Sequence, residues 1–321
     1  MIVAGDVGGT KTNLAFFKDD LSLQKEKRYA SAEHKDFASI LLDFLDGERV
    51  RAICIGVAGP VKNGVCHTTN LPWILDQKDL AKQTGVQYVF LLNDLEANAH
   101  GIGALRINDL DCLQKGKPVP GNQALISAGT GLGEAGLYWN GKEHAPFACE
   151  GGHTDFGPTS QEEIDLLIYL TKKHPRVSYE RILSGSGTYE IYQFLRDTGL
   201  EKEEAEIEKV ADRIPQKITE LAISKKSKIC ERVLEMFSRI YGAEAGNLAL
   251  KMYATAGVYV GGGIAPKILP ILKQRFFLEG FTNKGRFKSF MEDIPVSVIL
   301  QEDTALLGAA RFAKKRLQYA K

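Results

Sequence analysis

The sequence predicts an α/β protein built from two distantly similar halves. Three glycine-rich turns carry this prediction, each after a short apolar run of β type, at residues 5–12, 127–133 and 260–264. The first two turns each lie between two predicted strands. Glycine lets the backbone come close to a ligand and direct its N–H groups at phosphate oxygens. Three such turns, widely spaced along the chain, therefore suggest a nucleotide held between the two halves.

Length and composition are ordinary for a globular protein. The 321 residues allow one large or two medium domains, and 44% are hydrophobic and 25% charged. The formal net charge of +1 argues against a broad basic face, so we expect no nucleic-acid partner. The five scattered cysteines form no Cys-x-x-Cys pair, which favours a reducing cytoplasm over a disulfide framework. Because no apolar run approaches the ~20 residues of a membrane span, we also expect no membrane partner.

The first third of the chain reads as strands alternating with helices. Short runs rich in Ile, Val, Leu and Tyr predict buried strands, and helical spacing of apolar residues predicts helices. The predicted strands are residues 1–4, 13–17, 25–31, 52–57 and 88–92. The predicted helices are residues 37–45, 76–84 and 94–104, and Gly85 ends the second of them.

A loop rich in glycine and proline, residues 116–121, is the best candidate domain boundary. After it, Asn140-Gly141 predicts a hairpin turn, and residues 161–253 read as mostly helical. Further predicted elements are strands at 124–127, 134–139, 258–260 and 296–300 and a final helix at 304–317. We expect a small domain of residues 1–109 plus 303–321 and a large domain of residues 110–302. The last helix is expected to pack on the small domain.

The first turn combines a carboxylate with candidate phosphate ligands. Asp6 follows a buried run, beside the backbone N–H groups of Gly8, Gly9, Thr10 and Lys11. A carboxylate at this position can hold hydrated Mg²⁺ while the turn contacts phosphate oxygens. The alternative is a plain hairpin whose aspartate caps its own turn. A second turn of the same type, Gly129-Thr130-Gly131, favours the phosphate-binding interpretation.

Polar residues follow the predicted strand at 88–92. Asn93 and Asp94 open a helix at its carboxyl end, the position that faces the ligand crevice of an α/β sheet. The alternative is that one of them is simply the N-cap of the helix. Both interpretations hold together if one residue caps and the other projects.

Glu150, His153 and Glu180 add further planar donors and acceptors to Asn93 and Asp94. Such a set suits a neutral polyol, whose hydroxyl groups both donate and accept hydrogen bonds. A charged substrate would instead call for an arginine fork. The alternatives are solvated surface glutamates and a histidine in the core or on a metal, although no second histidine or cysteine lies at ligand spacing.

One competing motif matches as a string. Gly131-x-Gly133-x-x-Gly136 fits the dinucleotide-binding pattern, which requires a helix after the turn. Residues 137–141 read as strand and hairpin instead, which disfavours that site.

Several motifs, taken in order, make the chain similar to a known family. It resembles the bacterial-type glucokinases, in the hexokinase branch of the actin-like sugar-kinase ATPases. The motifs that carry this resemblance span nearly the whole chain and lie at residues 5–10, 69–70, 93–94, 128–133, 150–156, 180–185 and 261–264. The first turn continues with Lys11-Thr12 where we expect Asn-Ala in close relatives, and the cysteine zinc motif of the related repressor and kinase family is lacking.

The resemblance implies an actin-like, ribonuclease H-like fold of two domains with a cleft between them. It implies ATP and Mg²⁺ as cofactors, glucose as substrate, glucose 6-phosphate as the product that enters glycolysis, and a homodimer. The first two turns would bind phosphate, and Gly261, Gly262 and Gly263 would form part of the adenosine pocket. Asp94 would be the catalytic base. The sugar hydroxyls would be held by Asn70, Asn93, Asp94, Glu150, His153 and Glu180.

Three other functions compete with this one. They are a kinase for another hexose, a non-catalytic sugar sensor of the same fold, and a glycoside hydrolase with Glu150 and Glu180 as its carboxylate pair. The hydrolase leaves the three glycine turns unexplained. Asp94 weighs against the sensor, and because the chain opens directly on a strand we expect no helix-turn-helix module.

Overall fold

The computed structural model describes residues 1–68, 71–204, 207, 210 and 213–319. Asn70, one of the predicted sugar ligands, lies outside the described residues. The chain divides into two compact units. Unit 1 comprises residues 1–107, 145–148 and 301–321, and unit 2 comprises residues 108–144 and 149–300.

Strands dominate the first half of the chain and helices the second. The strands are β1 (Ile2–Val7), β2 (Lys11–Phe17), β3 (Leu23–Ala30), β4 (Ala52–Val57), β5 (Val61–Lys62), β6 (Val65–His67), β7 (Ile74–Asp76), β8 (Tyr88–Asn93), β9 (Leu110–Gln114), β10 (Gln123–Ala128), β11 (Leu132–Trp139), β12 (His144–Cys149), β13 (Gly257–Gly261) and β14 (Val296–Ile299). The α-helices are α1 (Phe37–Leu45), α2 (Gln77–Thr84), α3 (Asp94–Ile102), α4 (Gln161–Thr171), α5 (Gly185–Asp197), α6 (Ile214–Ile223), α7 (Lys228–Met252), α8 (Leu269–Leu272), α9 (Arg275–Thr282), α10 (Lys288–Asp293) and α11 (Thr304–Tyr319).

The main sheet of unit 1 has the strand order β3-β2-β1-β4-β8. β1 pairs antiparallel with β2 and parallel with β4, and β4 pairs parallel with β8. The interior strand β4 reads Ala-Ile-Cys-Ile-Gly-Val and is buried at every residue, as a parallel strand covered on both faces must be. The edge strand β3 is rich in charge and mostly exposed, which discourages pairing with another chain.

Two helical layers cover this sheet. On one face, α1 buries Phe37, Ile40 and Phe44. On the other, the small residues of α11 pack with β1, β4 and α3. Glycine makes this second contact possible, because a Cβ on Gly308 of α11 would overlap the Ala97 carbonyl of α3.

Unit 2 repeats the start of this pattern. Its sheet contains the strands β11-β10-β13-β14-β9 in that order. β10 pairs antiparallel with β11 and parallel with β13, as β1 does with β2 and β4. Helices α5, α6 and α7 contribute much of the core, and α7 buries most of its residues. The prediction of two similar strand–turn–strand arrangements is therefore confirmed.

Most predicted elements are present, with corrected bounds. The first strand runs to Val7 rather than residue 4, so Asp6 lies within the strand, where it pairs with Asn13. The hairpin turn at Asn140-Gly141 is confirmed, since the Asn140 N–H donates to the Glu143 carbonyl at 3.2 Å. Strand β9 and the small sheet β5-β6-β7 were not predicted from the sequence. Among the described residues, no helix is both long and apolar enough to cross a bilayer.

The glycine contact between α3 and α11 predicts an unusual substitution effect. Gly308→Ala should raise helix propensity by about 1 kcal/mol yet lower the free energy of unfolding by about 1–3 kcal/mol, because the added methyl group overlaps the α3 backbone. The measurement is the urea midpoint of the variant, with Gln318→Ala on the exposed face of α11 as the control. A midpoint equal to or above that of the unsubstituted protein would contradict the packing argument.

Candidate functional site

The first glycine turn joins β1 to β2 in unit 1, and two hydrogen bonds from Ser31 stabilise it. The Ser31 hydroxyl donates to the Gly8 carbonyl at 3.0 Å, and the Ser31 N–H donates to the Thr10 carbonyl at 3.1 Å. The Gly8 N–H donates to the Lys11 carbonyl at 3.0 Å, so this expected phosphate donor closes the turn instead. Thr10 and the Lys11 side chain are exposed. Ser31 was not predicted from the sequence, because no local motif marks it.

Asp6 occupies an electrostatically unusual position beside this turn. Burial raises the pKa of its carboxyl to about 6; the Lys11 ammonium opposes the shift and the Asp303 carboxylate adds to it. Burial also raises the pKa of Asp303. The Oδ1 atom of Asn13, the residue opposite Asp6 in the strand pair, is buried and has no hydrogen-bond partner among the described residues. A desolvated carboxylate near a second one favours a cation.

These oxygen atoms fit Mg²⁺, which binds few protein carboxylates and keeps waters and substrate phosphates as its other ligands. Within the residues described, no three His, Cys, Asp or Glu side chains cluster as a self-contained metal site. The arrangement is therefore suited to a metal that arrives with a phosphate substrate.

Asn93 and Asp94 were predicted to be a helix N-cap and a ligand-facing residue, and the structure shows which of them is the cap. Asn93 is the N-cap of α3, since its Oδ1 accepts from the Leu95 N–H at 2.9 Å and the Glu96 N–H at 3.3 Å. Its Nδ2 donates to the Gly59 carbonyl at 3.3 Å. These bonds occupy the amide oxygen and leave one N–H for a ligand. Asp94 is the first residue of the helix, and its Oδ1 also accepts from the Leu95 N–H, at 3.0 Å.

Parallel pairing aligns this pair with the first turn. Val57 pairs with Asn93 on one side and with Val7 on the other. Strands in a sheet lie about 4.8 Å apart, so the ends of β1 and β8 are separated by about 10 Å. Unit 1 therefore brings together Asp6, the first turn, Asn93 and Asp94.

In unit 2, the second and third glycine turns touch each other. β10 and β13 end side by side, with Ser127 opposite Gly261. The Ile264 N–H donates to the Ala128 carbonyl at 3.2 Å. Gly262 has a φ of +83°, and a Cβ there would overlap the same carbonyl, so the close approach requires glycine.

The N-terminus of α5 lies against the second turn. The Gly185 N–H donates to the Gly129 carbonyl at 2.9 Å, and Ser184 caps the helix by accepting from the Gly187 N–H. The second turn therefore lies beside the positive end of a 13-residue helix, an end that favours anions.

Glu180 connects the candidate sugar ligands of unit 2 to the second turn. Its Oε2 accepts from the Leu132 N–H at 3.0 Å, and its Oε1 lies 4.0 Å from Nδ1 of His153. A Cβ on Gly131 would overlap this carboxylate. Glu150 is exposed and precedes the single 3₁₀ turn at Gly151–His153. Unit 2 therefore brings Glu180 against the second glycine turn, with His153 beside it and Glu150 at the start of the segment that carries His153.

Arg176, which hydrogen-bonds the backbone at His153, was not predicted from the sequence. Arg176 pairs with Asp155 at 3.1 Å and donates to the His153 carbonyl. It lies in an ordinary polar stretch of sequence, and only the folded chain reveals its link to His153.

Comparison with known proteins decides the family. A family model described as Glucokinase matches residues 3–316. The glucokinase of Nostoc punctiforme is 39% identical over 338 residues, which cover 98% of this chain and 99% of that protein. The chain belongs to the glucokinase family.

Solved structures of the glucokinase family share the mixed α/β fold. A glucokinase from an Antarctic psychrotroph has a TM-score of 0.84 and 27% identity, with 98% of each chain covered. A ROK family glucokinase from Streptomyces griseus, solved with glucose and AMPPNP, has a TM-score of 0.67 at 19% identity and covers 98% of this chain and 99% of that one.

The capping role of Asn93 predicts a stability difference between two variants of this glucokinase-family chain. Asn93→Ala removes the cap and should lower the free energy of unfolding by about 1 kcal/mol, whereas Asn93→Ser keeps a side-chain oxygen for the Leu95 N–H. Both variants lose the bond to Gly59, so the difference between their urea midpoints isolates the cap. Equal midpoints would show that the oxygen does not stabilise α3.

Proposed function

We propose that this member of the glucokinase family phosphorylates glucose with ATP, giving glucose 6-phosphate and ADP for glycolysis in the cytoplasm. The observation that carries the proposal is the alignment of Asp94 with the first glycine turn at one edge of the unit 1 sheet. The family membership supports the sugar and the donor. The actin-like ATPase fold and a homodimer, both implied by the resemblance, are part of the same proposal.

The reaction uses Asp94 as the general base. The 6-oxygen of glucose attacks the γ-phosphorus, the bond from that phosphorus to the β,γ-bridging oxygen breaks, and the hydroxyl proton passes to the Asp94 carboxylate. General-base assistance contributes roughly 10²–10⁴-fold to the rate. Positioning and charge stabilisation by backbone donors supply the larger share.

The remaining residues bind and orient the substrates. Asp6 would hold Mg²⁺ through water, and the metal would neutralise phosphate charge. The first and second turns hold the phosphates, with Lys11 offering its ammonium, and Gly261, Gly262 and Gly263 contact the adenosine. The sugar hydroxyls bind Glu150, His153 and Glu180, together with Asn93 and Asn70.

The function itself is tested by coupled ADP release with a panel of hexoses. We expect turnover with glucose that requires both ATP and Mg²⁺. Preference for another hexose would keep the chemistry and change the substrate. Turnover with no monosaccharide would refute the proposal, and sugar release from a chromogenic glycoside without ATP would indicate a hydrolase instead.

Asp94→Asn separates chemistry from binding. The amide keeps the size of the side chain and loses its basicity, so we expect kcat to fall by about 10²–10⁴-fold. Glucose affinity, measured by calorimetry, should stay within a few-fold of the starting value. Near-normal turnover would remove Asp94 from the role of base.

Glu180→Gln tests the division of labour in unit 2. The variant keeps an oxygen for the Leu132 N–H but loses the charge that strengthens a bond to a sugar hydroxyl. We expect the KM for glucose to rise about tenfold, a loss of roughly 1.4 kcal/mol, with little change in the KM for ATP. Loss of ATP binding with unchanged glucose affinity would contradict the assignment.

A further inference from the structure

A buried polar network lies behind both sugar-binding segments of unit 2. Its acidic members are Glu134 on β11 and Glu244 on α7, whose residues are only 1% and 0% exposed. Buried carboxyl groups are costly unless they are paired, so their retention in a core calls for an explanation. Neither group belongs to the catalytic set described above.

One arm of the network reaches the segment that carries Glu180. The Asn247 amide, also on α7, donates to Glu244 Oε2 at 2.8 Å and to the Tyr179 hydroxyl at 3.0 Å. Tyr179 directly precedes Glu180, and its N–H donates to the Thr154 carbonyl at 3.1 Å. The Asn247 side chain is therefore fixed against the 3₁₀ turn that positions Glu180.

The other arm reaches the segment between Glu150 and His153. A Cβ on Gly151 would overlap Glu134 Oε2, so the Glu134 carboxyl lies directly against the backbone of this turn. Both Glu134 oxygens are buried, and no described residue donates a hydrogen bond to them. Moving Glu134 would therefore move, or release, the Gly151 backbone.

The surroundings of Glu134 favour its protonated form. Burial raises the pKa of Glu134, the neighbouring Glu244 carboxylate raises it further, and only the Lys251 ammonium opposes the shift. The Lys251 ammonium lies 3.3 Å from Glu244 and its side chain is half exposed. The other titratable groups nearby are the Tyr241 hydroxyl and the Cys149 thiol, whose own pKa values burial raises, with Glu150 beyond them.

Glu244 has the remaining charged contacts of the network. Near it lies Lys284, whose pKa burial lowers and whose ammonium donates to Asn247 Oδ1 at 2.7 Å. Protonated Glu134 can donate a hydrogen bond to the Glu244 carboxylate. Two adjacent carboxyls in a low-dielectric site hold one proton between them rather than ionising together.

We infer that Glu134, Glu244 and Asn247 are positioning residues that hold the two sugar-binding segments, residues 150–153 and 179–181, in register. The inference rests on the proposed function for the identity of the ligand. Loss of the proton that the two carboxyls share leaves negative charge on both Glu134 and Glu244. Their repulsion moves Glu134 and with it the Gly151 backbone, against which Glu134 lies. Sugar affinity should then fall at alkaline pH while nucleotide affinity does not.

Glu134→Gln is the test, because the amide keeps the shape and the donor toward Glu244 and has no proton to lose. The KM values for glucose and ATP and the kcat are measured from about pH 6.5 to about pH 9.5. In the unsubstituted enzyme we expect the glucose KM to rise about tenfold across the alkaline part of this range while the ATP KM stays constant. In Glu134→Gln the glucose KM should stay flat. The matched control is Glu190→Gln, a largely buried glutamate of unit 2 that pairs with Lys173 at 2.9 Å and has no contact with the network, which should keep the alkaline rise.

Two further measurements keep the outcome decisive. Asn247→Leu cuts the link to Tyr179 and should raise the glucose KM several-fold at every pH. Hydrogen–deuterium exchange of residues 149–156, which needs no turnover, should speed up at alkaline pH in the unsubstituted protein and not in Glu134→Gln. An identical alkaline rise in both proteins, or a change in stability with no change in glucose KM or exchange, would overturn the positioning role. If the unsubstituted enzyme phosphorylates no hexose, the proposed function fails, and the exchange experiment still decides the network.

Discussion

Parallel pairing between the first strand of a hairpin and the next strand of the sheet is the constraint on which each unit depends. In unit 1 it pairs β1 with β4, and in unit 2 it pairs β10 with β13. In each case the pairing fixes the turn of the hairpin at the carboxyl edge of the sheet. In unit 2 the third glycine turn follows β13 and so lies at that edge. In unit 1 the edge also receives the start of α3, which follows β8, the strand that pairs parallel with β4. The chemistry of the site is therefore a consequence of strand register.

In unit 2, two glycines are required because they leave room for carboxyl groups to pack against the backbone, and not because they are flexible. The space that a Cβ would fill at Gly131 is taken by Glu180, and at Gly151 it is taken by Glu134. Neither glycine has a positive φ, so neither position is restricted by backbone conformation. Glu180 comes close enough to accept from the Leu132 N–H, whereas Glu134 lies against the Gly151 backbone with no hydrogen bond from any described residue. At Gly152 the Leu132 carbonyl takes the space of the Cβ, so both glycines that follow Glu150 are explained by close packing.

The sequence predicted those features whose signal is local. We could predict a glycine turn after an apolar run, or Asn93-Asp94 after a strand, because the sequence pattern and the geometry that it produces lie within a few residues. Ser31 and Asn247 were not predicted, because each acts on a segment distant in the chain and has an ordinary sequence neighbourhood. Strand β9 was missed for the same reason: it pairs antiparallel with β14, which lies at the other end of unit 2. The role of Glu134 was not predicted either, because a single buried acid within a strand produces no periodic pattern in the sequence.

Asp6 and Glu134 are both buried carboxyl groups with a raised pKa, but their negative charges are neutralised in different ways. Each carboxyl is desolvated and lies near a second carboxylate, which raises the pKa in both cases. Asp6 keeps some exposure at the edge of its sheet, with the Lys11 ammonium nearby, so a hydrated cation delivered with a phosphate substrate can neutralise it. Glu134 is sealed from solvent, and a hydrated metal cannot enter without unfolding the turn at Gly151. Only a proton is small enough to neutralise Glu134 at this position. Asp6 is therefore suited to a ligand that binds and dissociates, and Glu134 to a permanent structural role.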